Sequence, residues 1–201
     1  MAYNLNDKLV IAISSRALFD LEEENQIFEK DGLDAYYKYQ LENEDKSLKK
    51  GTGYRLVENI LKINSFFSSD ERQVEVIILS KNNAATSLRI TNAINDLKLD
   101  IIRSAWTSGT NISNYLKAFK VDLFLSADEE DVLNAIENGV AAAKILPSSE
   151  DINNSLNEQV RIAFDGDAVL FSEESELVYK NNGLDAFIEH EKLNKDNPLE
   201  M

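Results

Sequence analysis

Two carboxylates two residues apart, Asp165 and Asp167, follow an apolar run that ends at Phe164 in RIAFDGDAVLFSEE. Side chains at that spacing after a buried strand suit phosphoryl transfer. One attacks phosphorus as a nucleophile, and the other acts as acid and base for the leaving and attacking oxygens. Gly166 lets the backbone approach a phosphate closely. The same pair can hold Mg²⁺, which takes oxygen ligands and offsets phosphate charge. An Asp-x-Asp is also what any acidic turn contains, so the elements around it must decide.

Those elements read as a layered α/β protein. LVIAI (9–13), VEVIIL (74–79), IIRSAW (101–106), DLFLSA (122–127) and VAAAKIL (140–146) are short apolar runs, expected as strands buried on both faces of a parallel sheet. Helical spacing fills the gaps in 86–99, 111–119 and 129–139, with Gly139 as a stop. Alternating strands and helices predict a doubly wound parallel, Rossmann-like sheet. The first connection is longer, about sixty residues. It is rich in charge and tyrosine (DAYYKYQLENEDKSLKK), with a helix predicted at 56–67. An insertion there, at about 20–70, is placed to cap a crevice at the carboxyl ends of the strands. PSSEDINNSLNEQ reads as a linker, which gives a first domain at 1–146, a linker at 147–158 and a last segment at 159–201.

The last segment repeats the first. An ungapped shift of 151 residues lays VIAISSRALF (10–19) on RIAFDGDAVL (161–170), and GLDA (32–35) on GLDA (183–186). Opposite Asp165 stands Ser14, and opposite Asp167 stands Arg16. The first copy therefore lacks both carboxylates, and 159–201 is a partial second copy that has them. A strand at 160–164 and two short helices are too little to bury their own apolar face, so that strand is expected to pair with the first sheet or with a second molecule.

Lys and Arg total 21 against 36 Asp and Glu, a net charge of −15. Such a chain is repelled by nucleic acid polymers and by anionic membrane surfaces, so neither is expected as a partner. With no cysteine, disulfides and thiolate metal sites are excluded. The five-residue apolar run near the N-terminus is too short for a signal peptide or a membrane span, so a cytoplasmic protein is expected.

SSRALFDLEEEN (14–25), YLKAF (115–119), DLFLSADEEDV (122–132), RIAFDGDAVLFSEESE and GLDAFIEHEK (183–192) resemble the cytosolic type I 5′-nucleotidases of the haloacid-dehalogenase superfamily. The resemblance implies a Mg²⁺-dependent hydrolase that removes the 5′-phosphate of nucleoside monophosphates. Asp165 would form an aspartyl-phosphate, Asp167 would be general acid and base, and both would contact the metal. It also implies that further site segments lie beyond Met201, supplied elsewhere or by a complementing chain. The chain alone is then expected to hydrolyse weakly or not at all. In the first copy the family pattern leaves Ser80 as a phosphate-binding hydroxyl and Lys117 as a phosphate-stabilising cation. Ser126 and Ala127 stand where metal-binding aspartates would.

Plainer roles stand beside these. Ser80 can be a helix N-cap, and Lys117 a solvated helix lysine. Arg16 can pair with Glu22 or Glu23 instead of contacting phosphate beside Ser14. Asp128 and Asp131 can complement a helix dipole. His190 reads as a surface residue, while Trp106 and Tyr36, Tyr37 and Tyr39 can stack on a base or simply pack. Two functions follow: a nucleotidase, or a non-catalytic nucleotide-binding or scaffold protein built on the first copy. A homodimer is expected in either case.

Overall fold

The runs Leu9–Ile13 and Val74–Ser80, rich in Val and Ile and free of Gly and Pro, become strands because branched side chains fit a pleated, buried surface. The computed structural model describes residues 4–68, 71–147, 159–164 and 171–197. In chain order it begins β1 (Leu9–Ile13), α1 (Ser15–Leu18), β2 (Phe19–Asp20), α2 (Glu22–Glu42), β3 (Lys49–Lys50) and α3 (Tyr54–Lys62). A 3₁₀ turn at Ile63–Phe66 leads into β4 (Val74–Ser80) and α4 (Leu88–Asp96). Then come β5 (Arg103–Trp106), α5 (Ser113–Ala118), β6 (Leu123–Ser126), α6 (Glu129–Glu137), β7 (Ala141–Lys144) and α7 (Glu174–Asn194). The chain divides into two compact units, residues 1–159 and 160–201.

The first unit is the expected doubly wound sheet. Five parallel strands lie in the order β5-β4-β1-β6-β7. The order reverses between β4 and β6, on either side of β1, and there the connections leave toward opposite faces of the sheet. Val10, Ala12, Ile77, Leu79 and Phe124 pack with Leu116 of α5 and Ala135 of α6. The alternate residues Ile11, Ile13, Val76 and Ile78 are equally buried and, by the two-residue period of a strand, face the other way. Here α3 packs against β4 and α1.

Two strands differ from expectation. β5 and β7 were expected to be buried on both faces, but they are the sheet's edges, half-buried and largely exposed respectively. Each pairs with a neighbour on one side only, so its outer side is open to solvent. The long first connection also does two things. Its second half, α3, is a crossover helix on the sheet, and its first half, α2, stands at the carboxyl ends of the strands. Helix α2 breaks at Gly32, whose φ of 83° and ψ of −175° suit glycine and strain other residues.

In the second unit α7 breaks in the same way at Gly183, with φ 82° and ψ −178°. The ring pairs match as well. Phe28 and Tyr36 meet edge to face at 5.9 Å across the first break, and Tyr179 and Phe187 at 6.1 Å across the second. Val160–Phe164, expected as a buried strand, forms none among the described residues. Ile162 and Phe164 are 52% and 63% exposed, since among the described residues no strand pairs with this segment to bury them.

Candidate functional site

The strand ends at the reversal are sealed by hydroxyls. Ser14 N-caps α1, accepting from the Ala17 amide (3.3 Å) and from the Ala127 amide (3.4 Å), while its own amide donates to Leu125 O. Ser15 and Ser80 share a hydrogen bond of 3.0 Å between their side-chain oxygens. Ser126, fully buried, accepts from the Asp128 amide. Thus β1, β4 and β6 are tied together by short polar side chains. Bulkier residues would fill the space above them.

That space is a cavity of about 620 Å³ in the first unit, within the usual size of small-molecule sites, about 300–1,000 Å³. Ser14, Ser80 and Ser126 form its floor with Ser15, and Leu21, Phe28, Leu33 and Tyr36 form an apolar wall from the α2 region. The Tyr36 hydroxyl donates to Asn82 Oδ1 (2.8 Å) and accepts from Gln40 Nε2 (3.0 Å), which fixes the ring. Burial raises the Tyr36 phenol above its usual range, despite those hydrogen bonds.

Both cations in the cavity are paired. Arg16 donates to Asn25 Oδ1 (2.9 Å) and bridges Glu22 at 3.2 Å. Lys81 bridges Asp131 at 2.7 Å. Burial works against the Lys81 ammonium, but Asp131, Asp128 and Glu130 outweigh it and raise its pKa. Burial also raises the Asp131 carboxyl, with Lys81 opposing. Three carboxylates near one cation hold Lys81 in its charged form. At the back, Arg89 donates to Glu24 (2.5 Å) and to Gln40 (3.4 Å), all three buried, and so pins both halves of α2 to α4.

Of the residues singled out from the sequence, Ser14, Arg16, Ser80 and Ser126 meet in this cavity. Lys117 does not: it is exposed on α5 and outside the lining, because the buried face of that helix is taken by Leu116. Ser80 caps no helix and instead accepts from the Asn82 amide two residues on. Asp128 is the N-cap of α6, accepting from the Asp131 amide. His190 is partly buried, within 3.4–3.5 Å of Glu174 and Glu191. Sequence reasoning missed Lys81, Asn82 and Asn83. The signal was there: KNN follows β4 directly, at the end of the strand where ligands meet a doubly wound sheet. Asp165 and Asp167 lie outside the described residues. Among the described residues no group of three or more His, Cys, Asp or Glu is placed to hold a metal ion. No described helix is long and apolar enough to cross a membrane.

The chain is an α/β protein with a doubly wound sheet and a walled, polar-floored crevice at its reversal point, the position where ligands meet such sheets. The family model described as 5′-nucleotidase matches residues 1–201, and the chain belongs to the 5′-nucleotidase family. It is 36% identical over 195 residues to cytosolic 5′-nucleotidase 1B of Homo sapiens, a match that spans 95% of this chain and 32% of that protein. The chain thus covers about a third of the length of the curated relative it matches. No solved structure matches it at a significant level.

Proposed function

We propose that the chain carries the catalytic motif of a 5′-nucleotidase that cleaves the phosphate from nucleoside 5′-monophosphates. One observation carries this reading: the family match over residues 1–201, and within them Asp165-Gly166-Asp167 is the segment whose residue types and spacing suit phosphoryl transfer. An Asp165 oxygen attacks phosphorus as the bond to the 5′-oxygen breaks, and Asp167 gives that oxygen its proton. Asp167, now a base, takes a proton from water as the water oxygen attacks the aspartyl-phosphate. Phosphate leaves, Asp165 is restored, and the proton on Asp167 readies the next cycle. Mg²⁺, held at Asp165 and Asp167, would supply positive charge that neutralises the phosphate. The human relative, a cytosolic 5′-nucleotidase by name, supports a cytosolic setting.

Phosphate release from a nucleoside monophosphate tests this, with Mg²⁺ and in EDTA, for the chain and for Asp165→Asn. Mg²⁺-dependent release lost in the variant supports the proposal. Release that survives Asp165→Asn rules out the assigned nucleophile.

A further inference from the structure

The cavity of the first unit lacks the catalytic carboxylates, yet it is fully built. Five of its lining residues carry charge: Arg16 and Lys81 against Glu24, Asp128 and Asp131. Both cations are already bridged to carboxylates, Arg16 to Glu22 and Lys81 to Asp131. A phosphate entering here would compete with those carboxylates for the cations and face Asp128 and Asp131, in a chain of net charge −15. The phosphate role expected for Ser14, Arg16 and Ser80 therefore meets an electrostatic obstacle, and Lys117 is not there to relieve it.

A flat, neutral molecule with hydroxyls meets no such obstacle. The Phe28–Tyr36 pair offers ring faces and edges to a base. Serine hydroxyls, Asn82 and the carboxylate of Asp128 offer the acceptors and donors that a ribose needs; an acidic side chain on ribose hydroxyls is how doubly wound sheets hold nucleosides elsewhere.

The internal repeat adds an independent observation. Across the 151-residue shift the phosphate chemistry diverges, Ser14 and Arg16 standing against Asp165 and Asp167. The helix break and ring pair do not diverge: Gly32 with Phe28 and Tyr36 matches Gly183 with Tyr179 and Phe187 in angle and in distance. The next positions agree too. Glu24 and Gln40 meet through Arg89, and their counterparts Ser175 and Glu191 meet directly at 2.6 Å. What the two segments share is thus an aromatic helix hairpin, and what they do not share is the phosphate chemistry.

We propose that the cavity between α2 and the strand ends of the first unit is a second site, which binds a free ribonucleoside without metal and without need of a phosphate. The class of ligand rests on the nucleotidase reading, because the nucleoside is what that reaction releases. Occupancy of the cavity would then follow product.

Calorimetry in EDTA tests it, titrating adenosine, guanosine, cytidine or uridine, and the matching monophosphates, into the full chain. The variants are Phe28→Ala and the double Asp165→Asn/Asp167→Asn. At least one nucleoside is expected to bind, its monophosphate no more than about threefold tighter, since a shift of that size is under about 1 kcal/mol. The double variant should keep this affinity, and Phe28→Ala should lose tenfold or more. Phe28 is 48% exposed, so its truncation spares the core, and unchanged circular dichroism would verify that. No heat with any nucleoside at millimolar concentration overturns the proposal. So does a monophosphate bound more than tenfold tighter, or binding lost in the double variant, which would place the ligand at Asp165. The double variant keeps the two readings separable: nucleoside binding that persists there stands even if phosphate release proves independent of Asp165.

Discussion

Replacing Glu24 with alanine leaves a buried guanidinium without its counter-charge. Arg89 and Glu24 are 2.5 Å apart, with side chains 8% and 6% exposed. At an effective dielectric of about 20, unit charges at that distance attract by roughly 7 kcal/mol. Arg89 keeps Gln40 Oε1 at 3.4 Å and Lys46 O at 3.0 Å, which recover part of the loss. The net cost of removing one partner of a buried pair is about 3–5 kcal/mol, a large share of a domain's stability, about 5–15 kcal/mol. Urea unfolding followed by Trp106, the single tryptophan, reports on the first unit alone. Glu24→Ala is expected to lower the midpoint sharply. Glu24→Ala with Arg89→Met should regain most of it, because no unpaired charge is then buried. A loss below about 1 kcal/mol for the single variant, or no recovery in the double, would refute the view that this pair holds α2 in place.

Other outcomes follow from local geometry. Gly51→Ala would put a Cβ 2.7 Å from the Phe19 backbone carbon, so the β2–β3 contact must open; a cost of about 1–3 kcal/mol is expected in the same unfolding assay. Tyr54 is 2% exposed. Burial, then the charge and hydrogen bond of Glu58, push its phenol from 10.0 up to about 12. The folded chain keeps a proton that the unfolded chain releases above about pH 10. Stability should therefore fall by up to about 2–3 kcal/mol between pH 10 and 12, and Tyr54→Phe should flatten that slope while changing little below pH 10. The exposed side chains of Ile162 and Phe164 are expected to drive self-association. Light scattering should show a mass above the monomer's, and Ile162→Asp with Phe164→Asp should reduce it.

Periodicity carried the sheet. Leu9–Ile13 and Val74–Ser80 have no reading other than buried strands, and the polar stretches between strands have helical spacing, so the doubly wound order followed from short-range pattern alone. Edge status was hidden, because Arg103–Trp106 and Ala141–Lys144 are apolar enough to pass for interior strands until their neighbours are known. In the site, Ser14, Arg16, Ser80 and Ser126 were legible because each ends or follows a strand. Lys117 was misplaced because strand ends locate residues well while helix faces depend on packing: Leu116 turned inward and took its neighbour outward. The Lys81–Asp131 and Arg89–Glu24 pairs join residues 50 and 65 positions apart. No local pattern marks such partners.

Whether Asp165 is the nucleophile is decided most directly by phosphate release from a panel of nucleoside monophosphates. The chain, Asp165→Asn and Asp167→Asn are compared with Mg²⁺ and in EDTA. The expected result is release that is slow for this chain, needs Mg²⁺ and is absent from both variants. Release that persists in Asp165→Asn, or release indifferent to EDTA, would contradict the proposed function.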